Sequence, residues 1–493
     1  MTRLRDDAME PLFYAEDREK IDTCLLASNG VVYVMDDVYG PLDFTGVTAP
    51  AYAAADCNIM KWAIYDGANG MQEYMGLNFY TILKAPQARL TFFLPTDEAM
   101  KFYYDPISFK SLTSRVIQFS YKSASFPIQS RCLSYTPTTG ITGRVIAGQG
   151  ASIQQGEMAN RLKDILLSHT ILNDWRQNIH SRNEYFETLG GPIVKVVRDA
   201  QGNIRQVLGG FQIENQRSGL ASEEKGVKAC NVSASFESLK NGETYALDAP
   251  AIPTYRSLWN ILSGRAEDEY DIKTEEENPY ALFFNLCKVN EDCIRACGLV
   301  DANLSSKMQK VQMQKFLLFA NDKGLDMNAT FLRANFTAFI PTNEAIRKAI
   351  AQGLPTWEDI EKDCEGLTTS EDSMRVQEKI WRLTDFVKGH FIYGQAVADQ
   401  EPFSDDFVQP MIDISLGVAP KLQVHSLGGG EMTVTDANGK TCRVTGERNT
   451  FVRDIVCSSS PATSTMPRNI TLNRAQCGVV HQIDGVLNFE PMY

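Results

Sequence analysis

Two apolar runs, each broken off by a proline, dominate the hydrophobic pattern of this chain. Leu90-Thr91-Phe92-Phe93-Leu94 leads into Pro95-Thr96-Asp97-Glu98-Ala99, and Phe336-Thr337-Ala338-Phe339-Ile340 leads into Pro341-Thr342-Asn343-Glu344-Ala345. Each run reads as a strand, and the proline, which has no N–H to give to a ladder, ends it. Thr96 and Thr342 suit a helix N-cap. Asp97-Glu98 and Asn343-Glu344 suit the first turn, where the helix dipole favours negative charge. The pattern therefore predicts strand, sharp turn and helix at both places. Further on, Leu162, Ile165 and Leu166 share one face of a helix ending at His169, and Leu383, Phe386 and Val387 do the same before His390.

A second pattern closes each stretch. Asn29-Gly30-Val31-Val32-Tyr33-Val34-Met35-Asp36 recurs as Asn241-Gly242-Glu243-Thr244-Tyr245-Ala246-Leu247-Asp248. It recurs again as Cys477-Gly478-Val479-Val480-His481-Gln482-Ile483-Asp484. The glycine permits a tight turn, and the alternating run after it reads as a strand. Asp248 and Asp484 are expected at strand ends, accepting from backbone donors in the following turn. Between the two patterns, residues 187–196 read as strand, turn and strand. Lys421–Val424 and Met432–Thr435 flank Gly428-Gly429-Gly430 as a hairpin.

Repeats at so long a period make the chain an array of like units. Residues 46–255 and 256–493 each hold the full set. Residues 1–45 hold only the ending, and are expected to be the C-terminal remnant of a preceding unit, with Met1 not the natural start. Insertions are expected near 106–158 in the first full unit and near 264–279 and 355–380 in the second. The acidic stretch 264–279 matches no EF-hand spacing and reads as an exposed linker.

Composition narrows the function classes. At 493 residues, 43% of them hydrophobic, each unit is large enough to bury its own core. The net charge of −13, with no basic block, argues against nucleic-acid binding, which needs Lys and Arg to displace counterions. No stretch is apolar and long enough for a transmembrane helix. The 11 cysteines include no Cys-x-x-Cys pair. Cys293 and Cys297 would share a helix face, half of a zinc site with nothing to complete it. No metal or cofactor is expected.

The combination resembles the fasciclin-like domain family. That family is marked by an apolar strand running into Ala-Pro-Thr-Asn-x-Ala-Phe, a central Tyr-His pair, and a closing Asn-Gly-x-x-x-x-Ile-Asp-x-Val-Leu. The first mark corresponds to Pro95, Thr96 and Asp97 and to Pro341, Thr342 and Asn343. The second survives as His169 and His390, with Ser168 and Gly389 where the tyrosine would stand. The third corresponds to Gly242 and Asp248, and most closely to Gly478-Val479-Val480-His481-Gln482-Ile483-Asp484-Gly485-Val486-Leu487. The resemblance implies an α+β fold of tandem domains, each a wedge or sandwich of β-strands with several packed helices. It also implies an extracytoplasmic protein, its large insertions similar to those of fasciclin-like proteins of bacterial outer surfaces, with any signal sequence or lipid anchor upstream of Met1.

The leading expectation is a non-catalytic adhesion or binding protein with protein or glycan partners at the cell surface, where repeated domains raise avidity. An alternative is a structural accessory subunit of an outer-membrane complex for nutrient or glycan capture. A hydrolase is the third reading. None of His169, His180, His390, His425 and His481 lies in a known catalytic motif. Asp164 with His169, or Asp385 with His390, offers a carboxylate and a base, but spacing places no nucleophile. The histidines are expected instead to cap carbonyls at the ends of their helices.

Overall fold

The computed structural model describes residues 21–35, 42–65, 79–101, 103–107, 115–123, 126–134, 151–152, 155–174, 177–217, 229–265, 272–319, 335–400, 403–408, 420–459 and 470–490. The first described elements are β1 (Ile21–Ala27) and β2 (Gly30–Met35), an antiparallel hairpin. Short helices, among them Asn58–Tyr65 and Phe79–Leu83, precede β3 (Arg89–Pro95). β4 (Tyr103–Tyr104), β5 (Arg115–Ser123), β6 (Phe126–Ser134) and β7 (Ala151–Ser152) make an antiparallel sheet. The helix Gln155–Ser168 leads into β8 (Thr170–Asn173). β9 (Tyr185–Glu187), β10 (Ile193–Arg198) and β11 (Ile204–Gly209) form a three-stranded sheet, and β12 (Val232–Leu239) and β13 (Gly242–Leu247) a hairpin. β13 then lies parallel to β3, giving a four-stranded sheet in the order β12-β13-β3-β8.

The second half repeats this plan. β14 (Phe336–Pro341) is followed by the helices Asn343–Ala351, Trp357–Glu365 and Ser370–Lys388 and by β15 (Phe391–Tyr393). β16 (Phe403–Val408), β17 (Lys421–Ser426), β18 (Met432–Thr435) and β19 (Thr441–Arg443) form an antiparallel sheet, with the expected hairpin between β17 and β18. β20 (Thr450–Ser459) and β21 (Ile470–Ile483) complete the sheet β15-β14-β21-β20. The architecture is α+β.

The two sheets match in register as well as in order. Gly242 pairs with Leu90 and Leu247 with Pro95; Gly478 pairs with Phe336 and Ile483 with Pro341. Each central strand is covered on both faces, which is why it reads as an unbroken apolar run. Leu90, Phe92 and Leu94 pack on helical residues such as Ile64 and Leu162, while Phe93 packs on β9–β11. Phe336, Ala338 and Ile340 likewise face helices, while Phe339 faces β16–β19.

Glycine is required at the closing strands for two different reasons. Gly242 has a φ of +142°, and a Cβ there would lie 1.8 Å from the Leu90 carbonyl oxygen. Gly30 and Gly242 follow tight turns, as expected, but Gly478 does not: it lies inside the 14-residue strand β21. There a Cβ would come within 2.6 Å of the Phe336 ring. The glycine of the third copy serves close packing rather than a turn.

A buried ion pair joins the two halves. Arg453 on β20 reaches both carboxylate oxygens of Asp164 on the helix Gln155–Ser168, with side-chain exposures of 1% and 4%. The carboxylate that the hydrolase reading offered to His169 turns instead to the guanidinium. Burial works to lower the Arg453 pKa, but Asp164, Cys477 and Tyr103 together hold it above its ordinary value. Apolar packing also joins the halves, with Phe451 and Val479 against Ile193, Leu208 and Ile213. Asn160 binds the backbone of Leu472 through both side-chain atoms at 2.9 Å, and Asn335 donates to Glu187.

Two outcomes follow for unfolding in urea. Gly242→Ala should cost about 3 kcal/mol or more, while Gly30→Ala, with open space around it, should cost under about 1 kcal/mol. Asp164→Asn should cost roughly 3–5 kcal/mol by stranding the Arg453 charge, and the double change Asp164→Leu with Arg453→Met should recover most of that loss.

Candidate functional site

The family-motif residues lie along the two sheets that hold the central strands, with Pro95, Asp248, Pro341 and Asp484 at one end and Gly242 and Gly478 at the other. The chain turns at Pro95 and Pro341, where Thr96 N–H donates to the Leu247 carbonyl and Thr342 N–H to the Ile483 carbonyl, both at 3.1 Å. The threonine hydroxyls then accept from Ala99 N–H at 3.2 Å and Ala345 N–H at 3.3 Å.

Only the second copy continues as the expected helix, Asn343–Ala351, with Ala345, Ile346 and Ala349 buried. The first gives a single 3₁₀ turn, Ala99–Lys101, before β4. The aromatic run into Pro106 explains the difference, since aromatic residues favour extended backbone and proline blocks a continuing helix.

Asp97 and Asn343 act on a distant element. Asp97 accepts from Asn58 N–H at 3.1 Å and Ile59 N–H at 2.8 Å, at the start of the helix Asn58–Tyr65. Asn343 accepts from Leu282 N–H at 3.0 Å, at the start of the helix Ala281–Leu286, and donates to the Asn278 carbonyl at 2.9 Å. Each therefore satisfies N–H groups that a helix start leaves open.

The histidines close the other side. His169 is fully buried; Nδ1 donates to the Ile165 carbonyl at 2.7 Å, and Nε2 accepts from Ala251 N–H at 2.9 Å. His390 repeats this, with Nδ1 to the Phe386 carbonyl at 2.8 Å and Nε2 accepting from Leu487 N–H at 3.1 Å. Their backbone carbonyls accept from Phe93 N–H at 2.8 Å and Phe339 N–H at 2.9 Å. Each imidazole thus caps its helix as expected, and also holds the segment that follows the closing strand. Burial pushes both pKa values down to about 4. Ser168 Oγ lies 3.2 Å from His169 Nδ1, but it is buried and also donates to the Ile165 carbonyl.

Asp248 and Asp484 sit just past the closing strands. Asp248 accepts from Asn231 N–H at 2.7 Å and Asp484 from Arg443 N–H at 2.8 Å. The donors precede the closing strand in sequence, so the expected bond to the following turn is replaced by a longer-range tie. In each case the aspartate N–H returns a bond at 3.1 Å, to the Asn231 and Arg443 carbonyls.

Sequence reading missed several buried polar groups. Arg161 pairs with Asp105 at 3.0 Å with both side chains at 0% exposure. Asn241, ahead of Gly242, accepts from Val47 N–H at 2.8 Å and donates to the Leu83 carbonyl at 2.7 Å. His481 bonds the Val397 carbonyl through Nε2 at 2.8 Å. A charged residue within an otherwise apolar strand, as in Val452-Arg453-Asp454-Ile455, was the available signal. His180 and His425 are exposed, and His180 meets Glu243 at 2.7 Å. Among the described residues no cluster of metal-ligating side chains occurs, and no helix is long and apolar enough to cross a membrane.

No protein-family model matches the chain, and no curated protein matches it. Among solved structures it is similar to a FAS1 domain pair from the insect cell adhesion molecule fasciclin I, at 12% identity and a TM-score of 0.21, over 88% of this chain and 96% of that one. At that TM-score the likeness carries no argument.

Both histidines must be neutral for Nε2 to accept a hydrogen bond. With folded pKa values of about 4, below the ordinary 6.5, the unfolded chain binds more protons between those limits. Their contribution is therefore complete above pH 6.5 and is lost as pH falls to 4, by roughly 2–4 kcal/mol per histidine. His390→Gln should lower stability at pH 7.5 by about 2–3 kcal/mol, and that deficit should shrink at pH 4.5 in urea titrations.

Proposed function

We propose that the chain is a tandem fasciclin-like protein, divided as 1–45, 46–255 and 256–493, that binds protein or glycan partners at a cell surface without catalysing a reaction. The reading places it outside the cytoplasm, on the outer face of a bacterial envelope. One observation carries it: the motif residues occur twice in equivalent places, and the histidines, aspartates and asparagine among them bind backbone groups of the fold in both copies. The two imidazoles spend both ring nitrogens on backbone groups within the fold, so neither is available as a base. Asp97, Asn343, Asp248 and Asp484 likewise bind backbone N–H groups. Such residues preserve a scaffold, and the recognition surface then lies in the parts that differ between the two halves, such as β4–β7 and the helix Trp357–Glu365. Two like scaffolds held in one chain give avidity for repetitive partners such as surface glycans.

The test uses the full chain immobilised on beads against panels of bacterial and host glycans and matrix proteins. A parallel screen measures hydrolysis of ester, amide, glycoside and phosphoester reporters. The proposal expects saturable capture of at least one surface component and hydrolysis no faster than buffer. Turnover that His169→Gln abolishes while leaving the melting temperature unchanged would overturn it, as would an empty capture panel.

A further inference from the structure

Thiols from two sequence-distant helices meet in the second helical core. Cys293 lies on the helix Glu291–Ala296 and Cys364 on the helix Trp357–Glu365, and both join the same apolar cluster. The two helices pack side by side. At one point Asn290 Nδ2 donates to Glu361 Oε1 at 2.8 Å. Three residues further along each helix stand Cys293 and Cys364, brought to the same side of the packed helices, with each thiol near enough to perturb the other. The Cys297 thiol is turned back onto its own helix, donating to the Ile294 carbonyl at 3.4 Å. Trp357 Nε1, bonded to the Leu286 carbonyl at 2.9 Å, fixes the start of the second helix.

We propose that Cys293 and Cys364 are a disulfide site, oxidised by a small-molecule or protein disulfide of the kind found in an oxidising compartment. This is independent of what the protein binds. Cys364 is half-buried and Cys293 buried, so Cys364 is the entry point. Its thiolate attacks one sulfur of the donor disulfide and expels the other as a thiolate, leaving a mixed disulfide. The Cys293 thiolate then attacks the Cys364 sulfur, forms the protein S–S bond and expels the second donor thiolate. Two protein thiols lose two electrons and two protons in all, and the donor disulfide is reduced to two thiols.

Burial, then the neighbouring Cys293 and Cys297 thiols and the Asp363 charge, push the Cys364 thiol up to about 12. Thiolate is therefore scarce, and the exchange is slow near neutral pH. Once formed, the bond closes a long loop through β14 and the helix Asn343–Ala351, which restricts the unfolded chain.

The full-length native protein would be incubated with oxidised glutathione at pH 8, then trapped with N-ethylmaleimide and digested with trypsin without reduction. Cleavage after Arg295 separates Cys293 from Cys297. The expected product is residues 289–295 linked to residues 363–375, released by reduction. The oxidised protein should also melt several degrees higher, a gain absent from Cys364→Ala and Cys293→Ala. Recovery of both peptides alkylated, a link to Cys297 instead, or a glutathione adduct persisting on Cys364 would each overturn the assignment.

Discussion

Everything in this molecule hangs on the parallel pairing of a central strand with a closing strand far along the chain. β3 pairs with β13, and β14 with β21, in the same register. Until those pairs form, the intervening helices and small sheets have no common wall to pack on. The approach is so close that glycine is the only residue tolerated where the closing strand begins to pair. At Gly242 the obstacle to a side chain is a carbonyl oxygen, and at Gly478 it is an aromatic ring. The pairing is also non-local, so loop-closure entropy must be met before it is rewarded, and slow folding is the expected consequence.

The motif residues are the fastenings of that pairing. The threonine and the aspartate or asparagine after each proline tie the exit of the central strand to the closing strand and to an opening helix. The histidine ties the middle helix to the segment beyond the closing strand. Because both imidazole nitrogens are used internally, the chemistry of the residue is spent on holding the fold. The Asp164–Arg453 pair extends the same economy to the junction between halves. Its net worth against a well-packed apolar substitute is small, but it admits few alternative arrangements, and we assign it the role of fixing how the halves meet.

Much of this was legible in the sequence, and the failures have physical causes. The central strands, the two amphipathic helices before His169 and His390, and the hairpin around Gly428-Gly429-Gly430 follow from local pattern alone. Local pattern also suggested a turn at Gly478, because glycine before an alternating run usually marks one. Its real constraint is the Phe336 ring, which no local window contains. The missing helix after Thr96 was signalled by Tyr103, Tyr104 and Pro106, a conflict with the helical reading already present in the chain. Partners of Asp97, Asp164, Asp248 and Asp484 are separated from them by many residues, so nearest-neighbour reasoning assigned them to the wrong donor or to none. The approach of the helices that carry Cys293 and Cys364 was hidden for the same reason.

The central claim, that strand closure holds each half together, is tested most directly by native-state hydrogen exchange followed by mass spectrometry. The account predicts that amides of β3, β13, β14 and β21 exchange last and together, only through global unfolding, while those of β16–β19 open earlier. Exchange of β13 or β21 ahead of those outer strands would show that the closing strand is an appendage and would contradict the account.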